Sequence, residues 1–204
     1  MKKLSLFLLS CCLLFRIMPI TGVFATNACD LKFDSLSHQQ VVEKMGPLFT
    51  EDQRKSGILA SVSMAQFILE SEWGKSELAQ KANNLFGMKF RLSGVDWTGC
   101  KYSKMTQEYI EGKYVNVTAN FRAYNSIEDS IRDHSNYLIS SEIASGLKRY
   151  AGLQDCKDYK KAAFILKHGG YATDPEYVNK ICIIIEQYDL CRFDMGRLLF
   201  VVRL

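Results

Sequence analysis

Histidine, tryptophan and proline are scarce in this chain of 204 residues, which contains three, two and three of them. The histidines, His38, His134 and His168, lie far apart, and no pair of cysteines has zinc-ribbon spacing. Structural zinc sites are built from closely spaced cysteine and histidine ligands. The sequence therefore predicts no metal site, and it contains no motif for another cofactor.

The chain also lacks a strong excess of charge of either sign. Its formal charge is +4, and Lys2, Lys3 and Arg16 all lie within the first 25 residues, so residues 26–204 carry only +1. Binding to nucleic acid by charge requires a basic surface. We therefore expect no nucleic-acid partner. Internal repeats and low-complexity tracts are absent as well.

Long apolar runs are missing except at the N terminus. Lys2 and Lys3 precede residues 4–15, which are apolar apart from Ser5 and Ser10, and Val23-Phe24-Ala25 has small residues at the right places for cleavage after Ala25. This arrangement is typical of a signal peptide, and the run is too short for an ordinary membrane-spanning helix. The sequence predicts a secreted protein with a signal peptide over residues 1–25. A retained membrane anchor and a lipoprotein attached at Cys11 are the alternatives.

The remaining chain is long enough for one domain with a sizeable core, which we place at residues 26–190. Residues 191–204 form a C-terminal tail that matches no interpretable pattern. Five cysteines remain after residue 25, an odd number, and an exported protein favours one or two disulfides whose connectivity stays open. They are Cys29, Cys100, Cys156, Cys182 and Cys191. We expect the protein to be a monomer.

One predicted helix ends in a glutamate. Apolar residues at positions 58, 62, 65 and 69 follow helical spacing and form one face. Glu70 lies at the border of that face and is followed by Trp73 and the helix-ending Gly74. Partial desolvation there would raise the pKa of the carboxyl group, as a general acid requires. Spacing alone nevertheless favours an ordinary surface glutamate, since most helical glutamates have no chemical role.

The surrounding motif changes this interpretation. Residues 65–76, AQFILESEWGKS, followed by Leu78-Ala79 and by NNLFGMK at 83–89, resemble the signature of bacterial endo-β-N-acetylglucosaminidases that hydrolyse peptidoglycan, glycoside hydrolase family 73. The resemblance extends from about Pro47 to Leu190 and implies that Glu70 is the catalytic acid. Glu72 stands where the family usually has glycine. On a continuous helix its side chain would point about 200° away from Glu70, into solvent.

The predicted elements also agree with the α+β, lysozyme-like fold of that family. Strand-forming residues at 106–110 and 113–121, separated by Glu111-Gly112, indicate a β-hairpin. Helices surround it, with Pro47 between the first two, a Ser126 cap, and Asp174-Pro175 opening the last one. Their predicted ranges are 38–46, 50–56, 58–73, 76–82, 126–139, 155–167 and 174–189.

The resemblance provides two further catalytic candidates. Residues 106–109 are similar to the family's hairpin segment, in which a glutamate often faces the acid, and this implies a role for Glu108 as base or charge stabiliser. Glu111 in the turn is the competing carboxylate, and a cross-strand charge partner is the alternative role for Glu108. Tyr171, in GGYATDPEY at 169–177, matches the family segment whose tyrosine lies near the acid. Without the resemblance, Tyr171 is interpreted as an aromatic side chain packed in a loop.

A second group of side chains forms the predicted substrate-binding set. Aromatic rings pack on the C–H faces of sugars, and side-chain amides bond N-acetyl groups. Core packing is the stronger reading for Phe86, and Asn83 and Asn84 are alternatively loop supports. A buried network explains Arg122, Asp133 and His134 at least as well as catalysis does. The predicted binding residues are Gln66, Trp73, Asn84, Phe86, Trp97 and Tyr124.

The sequence therefore predicts a hydrolase of the β-1,4 bond between N-acetylglucosamine and N-acetylmuramic acid. Its partner would be the glycan strands of peptidoglycan, bound in a local groove, without stable membrane association after signal cleavage. The substrate N-acetyl group is an alternative nucleophile, assisted by Tyr171. A muramidase or lytic transglycosylase of the same fold, and a non-catalytic wall-binding scaffold, remain the other readings.

Overall fold

The computed structural model describes residues 33–92, 96–110, 112–143 and 146–195, without the side chains of 107–110 and 114. The predicted signal peptide and Cys29 lie outside this part. Helices flank one antiparallel hairpin, which confirms the predicted α+β, lysozyme-like architecture. The elements are α1 His38–Ser56, α2 Ala60–Ser71, α3 Glu77–Ala82, β1 Lys101–Ile110, β2 Lys113–Arg122, α4 Ile127–Ser140, α5 Tyr159–His168 and α6 Tyr177–Gln187.

Helix α2 forms the centre of the core. Every residue from Ala60 to Ile68 is buried, because α1, α5, α6 and a C-terminal 3-10 helix at Leu190–Phe193 surround it. The helix is buried as predicted, but its burial is not restricted to the one predicted apolar face. Its serines and Gln66 are buried together with its apolar residues. The helix is also shorter than the predicted range 58–73, because the chain turns after Ser71.

Helix α1 is continuous across Pro47, so the two predicted short helices are one. Proline cannot donate the hydrogen bond that Glu43 would accept. The helix continues because Val42 and Met45 before the proline and Phe49 after it all pack into the same core, where each is fully buried. Tertiary packing outweighs the local penalty of the proline.

The hairpin lies at its predicted position, and its strands extend beyond the predicted ranges towards its base. β1 and β2 pair from Lys101 with Arg122 to Ile110 with Lys113. Asn84 attaches the hairpin base to the loop after α3. Its Nδ2 donates to the carbonyl oxygens of Met88 (2.9 Å) and Arg122 (2.8 Å), and its Oδ1 accepts from the Met88 amide (2.9 Å).

The last two helices begin later than predicted. Asp155 has a left-handed backbone (φ 60°) and cannot continue into a helix, so α5 is capped by Asp158 instead. Asp174 supports the turn before α6 by accepting from the Glu176 amide (2.9 Å) and pairing with Lys180 (2.6 Å). Both shifts arise from a turn inserted between the predicted cap and the helix.

The residues that follow α6 pack onto the domain. Leu190 is fully buried and Cys191 nearly so. Asp194 accepts from the Ser61 amide and the Ser61 hydroxyl, each at 2.8 Å, at the start of α2. Leu59, the residue preceding α2, makes no side-chain capping bond. Asp194 therefore provides the cap for the central helix from a distant part of the chain.

Cys100, Cys156 and Cys182 form no disulfide with one another. Within the described ranges no helix is long and apolar enough to cross a membrane. Histidine, cysteine, aspartate and glutamate side chains of the same ranges form no group of three or more that is arranged to hold a metal ion.

Candidate active site

Glu70 lies in the last turn of α2, where this buried helix reaches the surface. Its side chain is accessible to solvent, yet the protein around the carboxyl group desolvates it enough to raise its pKa from 4.5 to about 7. Among residues 33–92, 96–110, 112–143 and 146–195 no described side chain makes a hydrogen bond or an ion pair with Glu70. A carboxyl group with this pKa is half protonated near neutral pH and can donate a proton.

The chain after Glu70 leaves the helix by an unusual route. Glu72, Trp73 and Gly74 have φ values of 52°, 63° and 79°, all in the left-handed region. Ser71 supports this turn, since its hydroxyl donates to the Phe67 carbonyl (2.6 Å) and accepts from the Gly74 amide (2.8 Å). Glu72 is exposed, as predicted. The reason is this turn and not the helical angle, because Glu72 caps the helix and does not belong to it.

Two tyrosine phenols lie close enough to Glu70 for its charge to act on them. Burial raises the pKa of Tyr171 well above its usual value, and the charges of Tyr177 and Glu70 raise it further. Tyr177, the first residue of α6, is 2% exposed, and its pKa is also raised, first by burial and then by Glu70. Gln66, one turn before Glu70, donates from Nε2 to the Tyr177 hydroxyl (2.9 Å). The charge of the acid thus acts on two phenols whose raised pKa values keep them protonated.

His134, on α4, supports Tyr171 from inside the protein. Its Nε2 lies 3.0 Å from the Tyr171 hydroxyl, and its ring stacks on Phe86 at 3.8 Å with an angle of 6° between the planes. His134 is fully buried, and burial lowers its pKa to about 3. The imidazole is therefore neutral near neutral pH.

The predicted binding aromatics Trp97 and Tyr124 meet at the base of the hairpin. Their rings are 5.1 Å apart, edge to face, and the Arg122 guanidinium lies 5.1 Å from the Trp97 ring. Asp133 joins them by accepting from Arg122 (2.8 Å) and from the Tyr124 hydroxyl (2.7 Å). Trp97 and Tyr124 line a recess of about 210 Å³. Trp97 is partly exposed, which leaves it surface for a ligand.

The other predicted binding residues differ in accessibility. Trp73 is partly exposed and stacks on His38 at 3.8 Å. Gln66, Asn84 and Phe86 are 0%, 1% and 5% exposed. In this structure those three side chains hold other protein groups in place and offer almost no surface to a substrate.

Glu108 lies in β1, paired with Val115 of β2. Its position in the hairpin agrees with the prediction, while its side chain lies outside the described atoms. Glu111 lies outside the described residues altogether. The structure therefore brings together Glu70, Tyr171 and Gln66, and it gives the backbone position of the predicted second carboxylate.

The sequence alone does not identify Tyr177 as part of the site, and for His134 it leaves a buried network and catalysis both open. Tyr177 belongs to the same GGYATDPEY segment as Tyr171, and it follows that residue by six positions across a helix start. This position in the same motif is the sequence feature that could have identified Tyr177. Nothing in the sequence pairs His134 with Tyr171, because the two are 37 residues apart and meet only through tertiary packing.

A family model described as glucosaminidase, mannosyl-glycoprotein endo-β-N-acetylglucosaminidase, matches residues 46–190. Three curated relatives are similar. The exo-glucosaminidase LytG of Bacillus subtilis is 41% identical over 140 residues, covering 69% of this chain and 48% of the relative. A probable N-acetylmuramidase of Lactococcus lactis is 37% identical over 68% and 31% of the two chains. The peptidoglycan hydrolase FlgJ of Pseudomonas aeruginosa is 33% identical over 74% and 37%.

This chain therefore spans between about a third and a half of the length of these relatives. Among solved structures, the catalytic domain of the autolysin Auto from Listeria monocytogenes superposes with a TM-score of 0.67 at 31% identity. The match covers 79% of this chain and 92% of that domain. The described fold is thus that of a glucosaminidase catalytic domain.

Proposed function

The chain belongs to the endo-β-N-acetylglucosaminidase family, glycoside hydrolase family 73, and on that basis we propose that it is a peptidoglycan hydrolase. The bond it cleaves is the β-1,4 linkage on the reducing side of N-acetylglucosamine, before N-acetylmuramic acid. Its substrate is the glycan strand of the bacterial wall, the class of polymer that the name of its FlgJ relative states.

The environment of Glu70 is the observation that carries this proposal. A general acid must hold its proton in the ground state and release it in the transition state, which is most efficient when its pKa is near the working pH. Desolvation places the pKa of Glu70 at about 7, while its side chain stays open to solvent. Glu70 therefore donates the proton to the leaving sugar oxygen.

The second half of the reaction needs a group that stabilises the oxocarbenium-like centre. Glu108 is the proposed group, because its segment is similar to the family's hairpin segment, in which a glutamate often faces the acid. It activates water or balances positive charge. Alternatively the substrate N-acetyl group attacks the anomeric carbon, and the protonated Tyr171 phenol donates a hydrogen bond to it. A carboxylate separation of about 6.5–9.5 Å favours inversion and about 5–5.5 Å a direct nucleophile.

Sugar binding is assigned to the partly exposed aromatics. Trp73 and Trp97 have ring surface left for stacking, and Tyr124 supports Trp97 from the side. Gln66, Asn84 and Phe86 support the cleft from within, since they are almost completely buried. Alanine at Trp97 is expected to raise KM more than it lowers kcat, because stacking on a sugar contributes to the ground state and the transition state alike.

Mass spectrometry of digested peptidoglycan tests the proposal. Purified sacculi are treated with wild type, Glu70→Gln, Glu108→Gln and the exposed control Glu72→Gln, and new reducing ends are reduced with borohydride. We expect reduced N-acetylglucosamine at the product ends with wild type and with Glu72→Gln, and none with Glu70→Gln. Glu108→Gln is expected to lower the rate strongly. Full activity of Glu70→Gln would contradict the assignment of the acid.

The same products separate the other readings. A muramidase leaves reducing N-acetylmuramic acid, a lytic transglycosylase leaves a 1,6-anhydro end that borohydride does not reduce, and a scaffold protein binds sacculi without releasing any end. The relatives' names include both glucosaminidase and muramidase, so reducing-end identity is the deciding measurement. Release of single N-acetylglucosamine residues would indicate exo cleavage, as in the name of LytG, and longer fragments indicate endo cleavage.

We also propose that the mature protein acts outside the cell, free or bound to the wall, after cleavage behind Ala25. The support is the signal-peptide pattern of residues 1–25 and the similarity to autolysins. N-terminal sequencing of the protein recovered from culture medium and wall extracts tests this. Thr26 as the first residue is expected, and an intact or lipid-modified N terminus would contradict it.

A further inference from the structure

The hydrogen bond between His134 and Tyr171 has a direction that the surroundings of the imidazole determine. His134 is fully buried and neutral, so it carries one ring proton, on either Nε2 or Nδ1. Nε2 lies 3.0 Å from the Tyr171 hydroxyl. Nδ1 is buried and has no hydrogen-bonding partner among the described residues. The Phe86 ring covers the face of the imidazole and offers no acceptor at its edge.

The two tautomers leave different defects. With the proton on Nδ1, a buried N–H group has no acceptor, and the Tyr171 hydroxyl must donate its own hydrogen bond to Nε2. With the proton on Nε2, the donor is satisfied by the Tyr171 oxygen and only a lone pair at Nδ1 stays unused. Orphaned buried N–H groups are rarer in proteins than under-satisfied acceptors. The Nε2–H tautomer is therefore the favoured one.

This direction determines what the phenol can do. A Tyr171 oxygen that accepts from Nε2–H keeps its own proton for a different acceptor. No other hydrogen bond of the Tyr171 hydroxyl is present within the described part of the chain. Glu70 is the carboxyl group among the neighbours whose charge acts on Tyr171. The Tyr171 proton is thus left for an acceptor other than His134, and the charge of Glu70 acts on the same phenol.

We propose that His134 is a positioning residue, which donates from Nε2 to the Tyr171 oxygen and so directs the phenol proton to an acceptor of the bound substrate beside Glu70. This inference rests on the proposed function. The acceptor is an oxygen of the N-acetylated sugar, and the imidazole itself neither touches the substrate nor changes its protonation during turnover. His134 acts on catalysis through Tyr171 alone.

Nitrogen-15 NMR of histidine-labelled wild-type protein tests the tautomer without any substrate. His134 is assigned by comparison with His134→Gln. We expect a neutral ring with a protonated Nε2 and an unprotonated Nδ1, unchanged between pH 5 and pH 8. A protonated Nδ1 would overturn the inference even if the enzyme degrades peptidoglycan as proposed.

A double-mutant cycle tests the action through Tyr171. His134→Phe keeps a ring to stack on Phe86 but removes the donor, and Tyr171→Phe removes the hydroxyl. Each is expected to lower kcat roughly tenfold or more, with little change in KM, as expected for loss of a preorganised donor. The double variant should be no slower than the slower single variant. Multiplied losses would show that His134 acts independently of Tyr171.

His134→Gln is the matched rescue variant, because the glutamine amide nitrogen can donate from about the same place as Nε2. It should recover most of kcat, and failure to do so while the thermal transition is unchanged would contradict the role. If His134→Phe does not fold, the NMR result and His134→Gln decide the question. Loss of the proposed function would instead appear as full activity of Glu70→Gln, which leaves the tautomer result intact.

Discussion

At the scale of single residues, Glu70 differs from the carboxylates on the outer surface of the same domain. Hydrogen bonds from Arg54 and Lys55 lower the pKa of Glu51 to about 2, and bonds from Tyr102, Lys104 and Lys81 do the same for Glu77. Within the described part of the chain no such donor bonds to Glu70, and desolvation raises its pKa to about 7. A raised pKa of this kind is what a proton donor requires.

Activity should consequently fall on the alkaline side of neutrality. The acid is active when protonated, so kcat/KM is expected to decline as pH rises through about 7. The measurement is the initial rate of reducing-end release between pH 5 and pH 9. A neighbouring Glu72→Gln variant should keep the same alkaline limb, because Glu72 is exposed and the raised pKa of Glu70 comes from desolvation. An alkaline limb starting near pH 5 would contradict the proposed environment of Glu70.

The same shift makes a prediction for stability. A carboxyl whose pKa is higher in the folded protein than in the unfolded chain binds more protons when folded, so its contribution to stability is lost as pH rises from about 4.5 to above 7. Glu70→Gln removes that loss. In urea unfolding at pH 5 and pH 8.5, the free energy of unfolding of Glu70→Gln should therefore rise relative to that of wild type at the higher pH. An equal difference between variant and wild type at both pH values would disprove the pKa shift.

The left-handed backbone of Glu72 gives a prediction for stability. Left-handed backbone costs a residue with a Cβ about 1 kcal/mol or more, and glycine escapes this cost at the expense of some unfolded-state entropy. Glu72 has φ 52° at the end of α2. Glu72→Gly is therefore expected to raise the free energy of unfolding by up to about 1 kcal/mol in urea titrations. Glu72→Ala, which keeps the Cβ, should not stabilise the protein.

At the scale of elements, the junction of the hairpin with the helical part depends on Asn84. This side chain is 1% exposed and makes three hydrogen bonds to the backbone of Met88 and Arg122. Asn84→Ala leaves buried backbone groups without partners, and we expect the free energy of unfolding to fall by about 2–3 kcal/mol. The exposed Asn179→Ala should change it by less than about 0.5 kcal/mol.

The KM of Asn84→Ala distinguishes a structural role of Asn84 from a role in substrate binding. If Asn84 only holds the hairpin, the folded Asn84→Ala protein should keep KM for soluble glycan fragments within about threefold of wild type. A large rise in KM at temperatures where the variant is fully folded would instead assign Asn84 to the substrate. The buried geometry of its three bonds favours the first result.

Predictability also differs among elements. The hairpin followed from alternating strand formers around Glu111-Gly112, and α4 followed from its Ser126 cap, whose hydroxyl accepts from the Asp129 amide (3.1 Å). Both depend on neighbouring residues only. The continuity of α1 through Pro47 and the burial of α2 on all sides depend on helices that are distant in sequence, so local patterns could not reveal them.

At the scale of the whole molecule, the domain extends beyond the matched family region. The family model ends at Leu190, while Leu190, Cys191 and Asp194 complete the core and the cap of α2. A chain ended after Asp189 loses a fully buried leucine and this cap, which we expect to cost at least about 3 kcal/mol of stability. Urea unfolding of this chain, compared with one ended after Met195, measures the loss.

Substitutions of Asp194 separate the contribution of the α2 cap from that of the buried Leu190. Asp194→Ala removes the acceptor for the Ser61 amide and should cost about 1–2 kcal/mol, while Asp194→Asn retains an acceptor oxygen and should cost less. Equal stability of the chains ended after Asp189 and after Met195 would show that the segment following α6 does not contribute to the fold.

The sequence by itself determined the family, the α+β architecture and the position of Glu70 at the end of a helix, because short motifs and turn residues encode these locally. Only the tertiary structure decided which side chains share the site. The meeting of Glu70 with Tyr171 and Tyr177, and of Tyr171 with His134, depends on helices separated by dozens of residues. Burial, and with it the raised pKa of Glu70, is a property of that packing and not of any local pattern.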